Sequence, residues 1–218
     1  MWSIELSLEV LFELDHDGVW FYLNNLVPHS DNTTRLIPVP TVKCSAKKGD
    51  FVMSKHDDQA QLAKGKVQVG DSAPDFTLPD QSGVPVSLGH FLGKTDIVLY
   101  FYPRDNTAVC TAEACAFQDS YELFKQAGAE VIGISSDSVE SHRQFAAAHR
   151  LPFILLSDMA GVIRKRYGVP TAFGLPGRVT YIIDRQGMVR HIFFSQFTAE
   201  KHVAQALSTL QSIREEDI

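Results

Sequence analysis

Apolar and polar positions follow regular periods only from Val69 onward, where strand-like and helix-like stretches begin to alternate. Asp75–Leu78 and Val84–Leu88 flank a Gln81-Ser82-Gly83 turn and read as short strands. Asp96–Tyr102 is a nearly unbroken apolar run stopped by Pro103, the pattern of a strand buried on both faces. A helix is predicted from Cys110 to Ala127 with Gly128 as its stop. Strand Glu130–Ser135 comes after it, then a helix opened by a capping box, Asp137-x-x-Glu140. A strand at Phe153–Leu156 and a short helix at Gly161–Tyr167 come next. Val179–Ile183 and Met188–Phe194, joined by Asp184-Arg185-Gln186-Gly187, predict a hairpin. Val203, Leu207, Leu210 and Ile213 then mark the buried face of a last helix. This order predicts an α/β fold, a central mixed sheet flanked by helices.

The beginning of the chain reads differently. Trp2–Val10 alternates like a strand, but Pro28, Pro38 and Pro40 interrupt the stretch beyond it. The apolar run Val19–Leu23 has no basic residues before it, unlike a secretory signal. Residues 1–42 carry Glu5, Glu9, Glu13, Asp15, Asp17 and Asp31 against Arg35, the wrong balance for an organelle transit peptide. Lys47-Lys48-Gly49-Asp50 can be encoded by a purine-rich, ribosome-binding sequence just upstream of Met53. Two readings stand side by side: a disordered extension, or upstream sequence read in frame with translation starting at Met53. Residues 1–66 are therefore set apart from a domain at 67–218.

With 218 residues, 44% hydrophobic and 21% charged, the chain can bury a core without covalent staples. Three cysteines exclude a disulfide-framework scaffold. A net charge of -6 argues against nucleic acid as a partner, and no apolar run reaches the roughly 18 residues of a membrane span. His142 and His149 lack the i, i+4 spacing of a metal pair, and neither a metal nor another cofactor is expected.

The chemistry concentrates between Tyr102 and Phe117. Cys110 opens a helix just past the end of a buried strand, where unpaired N–H groups and the helix dipole favour thiolate over thiol. The alternative is a buried cysteine acting as a small apolar residue. Five residues of helix place Cys115 about 140° around and about 7.5 Å along from Cys110, with Cα atoms about 8–9 Å apart. A disulfide needs less than about 7 Å, so the helix must unwind before these two thiols could bond. Ala114, Phe117, Tyr121 and Phe124 continue the stripe of Cys110. Cys115 shares its side with Gln118, Asp119 and Glu122 and is expected to face solvent.

Pro103-x-x-x-Thr107-x-x-Cys110, with Cys115 in Glu113-Ala114-Cys115-Ala116-Phe117, closely resembles the active-site pattern of Q-type peroxiredoxins, also called bacterioferritin-comigratory proteins. The resemblance runs from about Val69 to Leu210 through FKQAGAEVIGISSDS, RLPFILLSD and LPGRVTYIIDRQG. It implies a thioredoxin-like fold and a peroxidase that reduces hydrogen peroxide and organic hydroperoxides. Cys110 would be the peroxidatic thiolate, oxidised to sulfenic acid. Thr107 would orient the peroxide through its hydroxyl, and Pro103 would shield the sulfur. Arg178 would stabilise the thiolate and the breaking O–O bond. The N–H groups of Val109 and Cys110 would complete an oxygen cradle. Cys115 would resolve the sulfenic acid as a disulfide, reopened by thioredoxin or a similar dithiol. A redox sensor or holdase using the same disulfide is the alternative.

The subgroup usually carries Thr-Pro-Gly-Cys, where this chain has Thr107-Ala108-Val109-Cys110. That departure puts loop stiffness and substrate preference in question. Phe173 and Leu175 are candidates for an apolar wall near Arg178, and Cys44 is given no role. A resolving cysteine in the same helix needs no second subunit, so a monomer is expected. A bacterial or cyanobacterial cytoplasm is the expected setting, with a chloroplast as the alternative.

Overall fold

The computed structural model describes residues 67–172 and 175–216, together with the backbone of 12–14 and 20–22. The chain divides into a unit Met1–Lys43 and a unit Cys44–Ile218. In the first, β1 (Phe12–Leu14) and β2 (Trp20–Tyr22) pair antiparallel, and β2 falls within the apolar run Val19–Leu23. The strand read at Trp2–Val10 lies outside the described residues.

In the second unit, β3 (Thr77–Pro79) and β4 (Pro85–Ser87) form a small hairpin. Next come β5 (Asp96–Phe101), α1 (Ala108–Asp119), α2 (Tyr121–Gln126), β6 (Ala129–Ser135), α3 (Val139–His149) and β7 (Ile154–Ser157). The chain continues through α4 (Val162–Tyr167), β8 (Thr171–Ala172), β9 (Leu175–Pro176), β10 (Val179–Ile183), β11 (Val189–Phe194) and α5 (Ala199–Glu216). The main sheet has the order β11-β10-β5-β6-β7. β5, β6 and β7 run parallel, and β10 is antiparallel to both β5 and β11, so the sheet is mixed as predicted. No helix among the described residues is long and apolar enough to cross a membrane.

Alternation along β5 divides the core. Val98 and Tyr100 face α1, α2, α3 and α5, meeting Phe117, Phe124, Phe145, Ala206 and Leu210. Ile97, Leu99 and Phe101 face the opposite side with Ile163 and Tyr167 of α4 and with Phe76 and Leu88. Tyr100 fits because its partner in β6 is Gly133, where an added Cβ would lie 2.7 Å from the phenol.

Two local expectations are corrected, and one pairing is added. The predicted helix Cys110–Ala127 is two helices, interrupted at Ser120, which has φ -101 and ψ 5. Asp137 does not cap α3. Ser138 does, its hydroxyl accepting from Ser141 N at 3.2 Å, while Asp137 accepts from Ser135 Oγ and from the N–H of Asp105. A two-residue pairing, β8 with β9, occupies a region left unassigned from sequence.

A candidate peroxidatic site at the start of α1

The site forms where β5 ends. Pro103 stops the strand, and a loop with Asn106 at φ +58 turns the chain into α1. Asparagine tolerates this left-handed conformation better than most side chains. Thr107 is the N-cap in extended conformation, and Ala108 and Val109 occupy the first two helical positions. Proline and alanine both suit the first position, and helical backbone at Val109 asks for no positive φ. Thr107-Ala108-Val109-Cys110 therefore starts the helix without strain.

Cys110 occupies the third helical position, 2% exposed and a free thiol. The N–H groups of Ala108, Val109 and Cys110 have no intrahelical acceptors, and the Thr107 side chain caps none of them; the first backbone bond runs from Thr111 N to Thr107 O. The first turn also contains no acidic residue to compete for the positive end of the helix dipole.

Arg178 reaches this sulfur from the residue before β10. Gly177 sets its backbone close to Pro170, whose carbonyl would lie 2.9 Å from any added Cβ. The Arg178 guanidinium, 2% exposed, donates from Nη2 to Cys110 Sγ at 3.2 Å and from Nε to Gln196 O at 3.3 Å. Its Nη1 donates to Glu113 Oε2. Desolvation works against its charge, but Glu113 and Cys110 outweigh it and hold the guanidinium above its usual range.

Glu113 was not singled out from the sequence. It lies one turn after Cys110 and is fully buried. Burial pushes its carboxyl up to about 7, although Arg178 pulls in the other direction. Behind it lies His202 of α5, also fully buried, with Nδ1 3.7 Å from Glu113 Oε1. His202 Nε2 donates to Ser195 O at 2.9 Å, which leaves Nδ1 to accept from the Thr180 hydroxyl at 2.7 Å. Burial, aided by Arg178, lowers this imidazole to about 4, so it is neutral at pH 7 and forms no ion pair with Glu113. Both residues left a signal: each is a titratable side chain inside an apolar helical stripe, Cys110-Ala114-Phe117 and Ala206-Leu210-Ile213 respectively.

The other predicted residues are placed unevenly. Pro103 is half-buried in the loop, and Thr107 is exposed, its hydroxyl donating to Arg104 O at 3.3 Å. Cys115 does not face solvent as expected; it is 6% exposed. On that flank of α1, Gln118 donates to Arg150 O at the end of α3, so the side is covered at Cys115 and Gln118 while Asp119 and Glu122 stay exposed. Phe173 and the side chain of Leu175 lie outside the described residues, as does Cys44. His142, considered as a metal ligand, is a core histidine bonded to Asp105.

A buried thiol at an open helix N-terminus, bridged by arginine, is arranged for nucleophilic attack by sulfur. Residues 69–192 match the family described as AhpC/TSA. The chain is 55% identical over 151 residues to the protein named peroxiredoxin Q, chloroplastic, of Sedum lineare, covering 68% of this chain and 81% of that one. The chain belongs to the AhpC/TSA family, as a peroxiredoxin of the Q type. Among solved structures, the peroxidoxin BcpB of Mycobacterium tuberculosis is 38% identical with a TM-score of 0.64, covering 67% of this chain and 98% of that one. Peroxiredoxin Q of Xanthomonas campestris is 27% identical with a TM-score of 0.60, covering 67% and 96%. The fold is thus thioredoxin-like, and the activity is that of a thiol-dependent peroxidase. Peroxiredoxins act on peroxides and on thioredoxin-type reductants.

Proposed function

We propose that Cys110 is the peroxidatic residue, and the observation that carries this is the 3.2 Å bond from the buried Arg178 guanidinium to its sulfur. The thiolate attacks the terminal peroxide oxygen, the O–O bond breaks, and sulfenic acid forms while water or an alcohol leaves with the second oxygen. Arg178 spreads the charge developing on the breaking bond. The free N–H groups at the start of α1 receive the peroxide oxygens, and Thr107 orients them once its hydroxyl turns from Arg104 O. Pro103 keeps water from the sulfur.

Cys115, as a thiol, then attacks the Cys110 sulfenic acid after α1 unwinds, expelling water and forming a disulfide that a thioredoxin-type dithiol reduces. The cycle needs no cofactor or second subunit, and nucleic acid has no part in it. The cycle belongs to the domain 67–218, and residues 1–66 stand outside it. Of the two settings expected, the name of the Sedum relative favours a chloroplast over a bacterial cytoplasm.

Mass spectrometry of the fully reduced chain, before and after one equivalent of peroxide, tests the scheme. A Cys110–Cys115 disulfide is expected in the wild type, and a trapped Cys110 sulfenic acid in Cys115→Ser. Full thioredoxin-driven turnover by Cys115→Ser would remove Cys115 as the resolving residue. A single oxidation of the wild type without recycling would favour the sensor reading.

A further inference from the structure

Between Pro103 and Thr107 one side chain points inward. Arg104, Asn106 and Thr107 are exposed, whereas Asp105 is 4% exposed. Its carboxylate accepts from Tyr102 Oη at 2.7 Å, from Ser141 Oγ at 2.7 Å and from His142 Nδ1 at 2.9 Å. Its own N–H donates to Asp137 Oδ2 at 2.9 Å, an oxygen also held by Ser135 Oγ. His142 is fully buried and its Nε2 faces Leu156 O at 3.2 Å, so the chain of bonds continues into β7. These partners lie beside the end of β5, after β6, on α3 and in β7. None belongs to α1.

Burying a carboxylate in a loop is costly unless several donors replace its water, and an apolar side chain would fill the same space at less cost. What the charge adds is a fixed position with directional bonds. The chain changes character at the next residue. Asn106 takes a left-handed conformation, and Thr107 makes no side-chain bond to the turn it caps. Beyond α1 the chain breaks at Ser120, after which Tyr121 Oη and Lys125 Nζ both bind Glu130. The segment 107–120 therefore lies between two anchored ends.

We propose that Asp105 and His142 are positioning residues that hold the loop bearing Pro103 throughout the cycle, so that α1 opens at Asn106 while its entry stays in place. The proposal rests on the peroxidase cycle assigned to Cys110 and Cys115. The loop would not have to reassemble after each disulfide is reduced, and Thr107 would return from a hinge one residue away.

Amide hydrogen exchange on the full chain, fully reduced and then peroxide-oxidised, tests the anchor without any variant. Protection at Asp105 and His142 is expected to change less than about 3-fold, while amides of Ala112–Ala116 lose about 100-fold or more. Equal loss at both places would overturn the proposal. Rapid quenching with a sulfenic-acid trap adds the kinetic test. Ser141→Ala, at a half-buried position, is the mild variant and Asp105→Asn the stronger one. Sulfenic-acid formation is expected to slow about 10-fold or more in Asp105→Asn, and less in Ser141→Ala, with disulfide formation no slower. Unchanged sulfenic-acid formation in both variants, or a slowing confined to the disulfide step, would also overturn it. If the wild type forms no sulfenic acid at Cys110, the cycle and the anchor fall together. Normal wild-type chemistry with either adverse result removes the anchor alone.

Discussion

Replacing Glu113 by glutamine keeps the shape of the side chain and an oxygen for Arg178, but removes a proton-binding site from the core. In the folded chain burial raises this carboxyl from 4.5 to about 7. The native state therefore holds a proton that the unfolded chain has released. The stability this contributes is complete below about pH 4.5 and is lost as pH rises through about 7. At about 1.4 kcal/mol per pKa unit, the whole loss is about 3 kcal/mol. Glutamine does not titrate, so the variant lacks this slope. Urea unfolding of the reduced wild type and of Glu113→Gln, at intervals from pH 5 to 8, measures the difference directly. The glutamine variant should gain on the wild type by about 2–3 kcal/mol over that range. The absolute offset between the two proteins also contains the changed packing and hydrogen bonding of the side chain; the change with pH reports the Glu113 proton alone, with burial and the opposing pull of Arg178 both included in its value of about 7. A difference that stays flat from pH 5 to 8 would show that Glu113 is ionised throughout and would refute this account of its burial.

Three further outcomes are expected. Cys110→Ser should abolish peroxide reduction in a coupled thioredoxin assay, and substantial residual turnover would rule out Cys110 as the nucleophile. Arg178→Lys keeps a positive charge but cannot span Cys110 and Glu113 with two arms, so kcat/KM for peroxide should fall about 100-fold or more, measured by steady-state kinetics. Gly133→Ala should destabilise the fold by about 1–3 kcal/mol in urea unfolding, because the new methyl meets the Tyr100 ring at 2.7 Å.

The sheet was legible because its strands advertise burial on both faces. The run Asp96–Tyr102 has almost nothing polar to place, and the hairpin Val179–Phe194 carries its own turn. Local signals erred where two neighbouring residues could do the same job. Asp137 and Ser138 are both competent helix caps, and the choice went to Ser138 because Asp137 is engaged by Ser135 and the loop at Asp105. Likewise, a helical period cannot reveal that the chain pauses at Ser120, since the stripe of Phe117, Tyr121 and Phe124 continues across the break.

The site divides along the same line. Cys110 was legible in its own neighbourhood, as a thiol opening a helix. Arg178 was legible only through family resemblance, because a Pro-Gly-Arg turn looks the same whether its arginine points at water or at a sulfur 68 residues away. The Asp105–His142 pair carries no mark of burial in its immediate sequence, and the apolar stripes around Glu113 and His202 mark their faces without naming a partner, since glutamate and histidine are ordinary residues in exposed helices. What distinguishes them is a partner contributed by a distant element. Glu113 needs the arginine ahead of β10, and His202 needs Thr180 on β10 and Ser195 beyond β11. Asp105 needs α3. Each is tolerable in the core only after the sheet has closed, so the electrostatics around the thiol are a product of tertiary assembly. Unwinding α1 withdraws Glu113 from Arg178 along with Cys110, because both ride on the same helical turn. The step that would bring Cys110 to Cys115 must therefore also break the buried contact between Arg178 and Glu113.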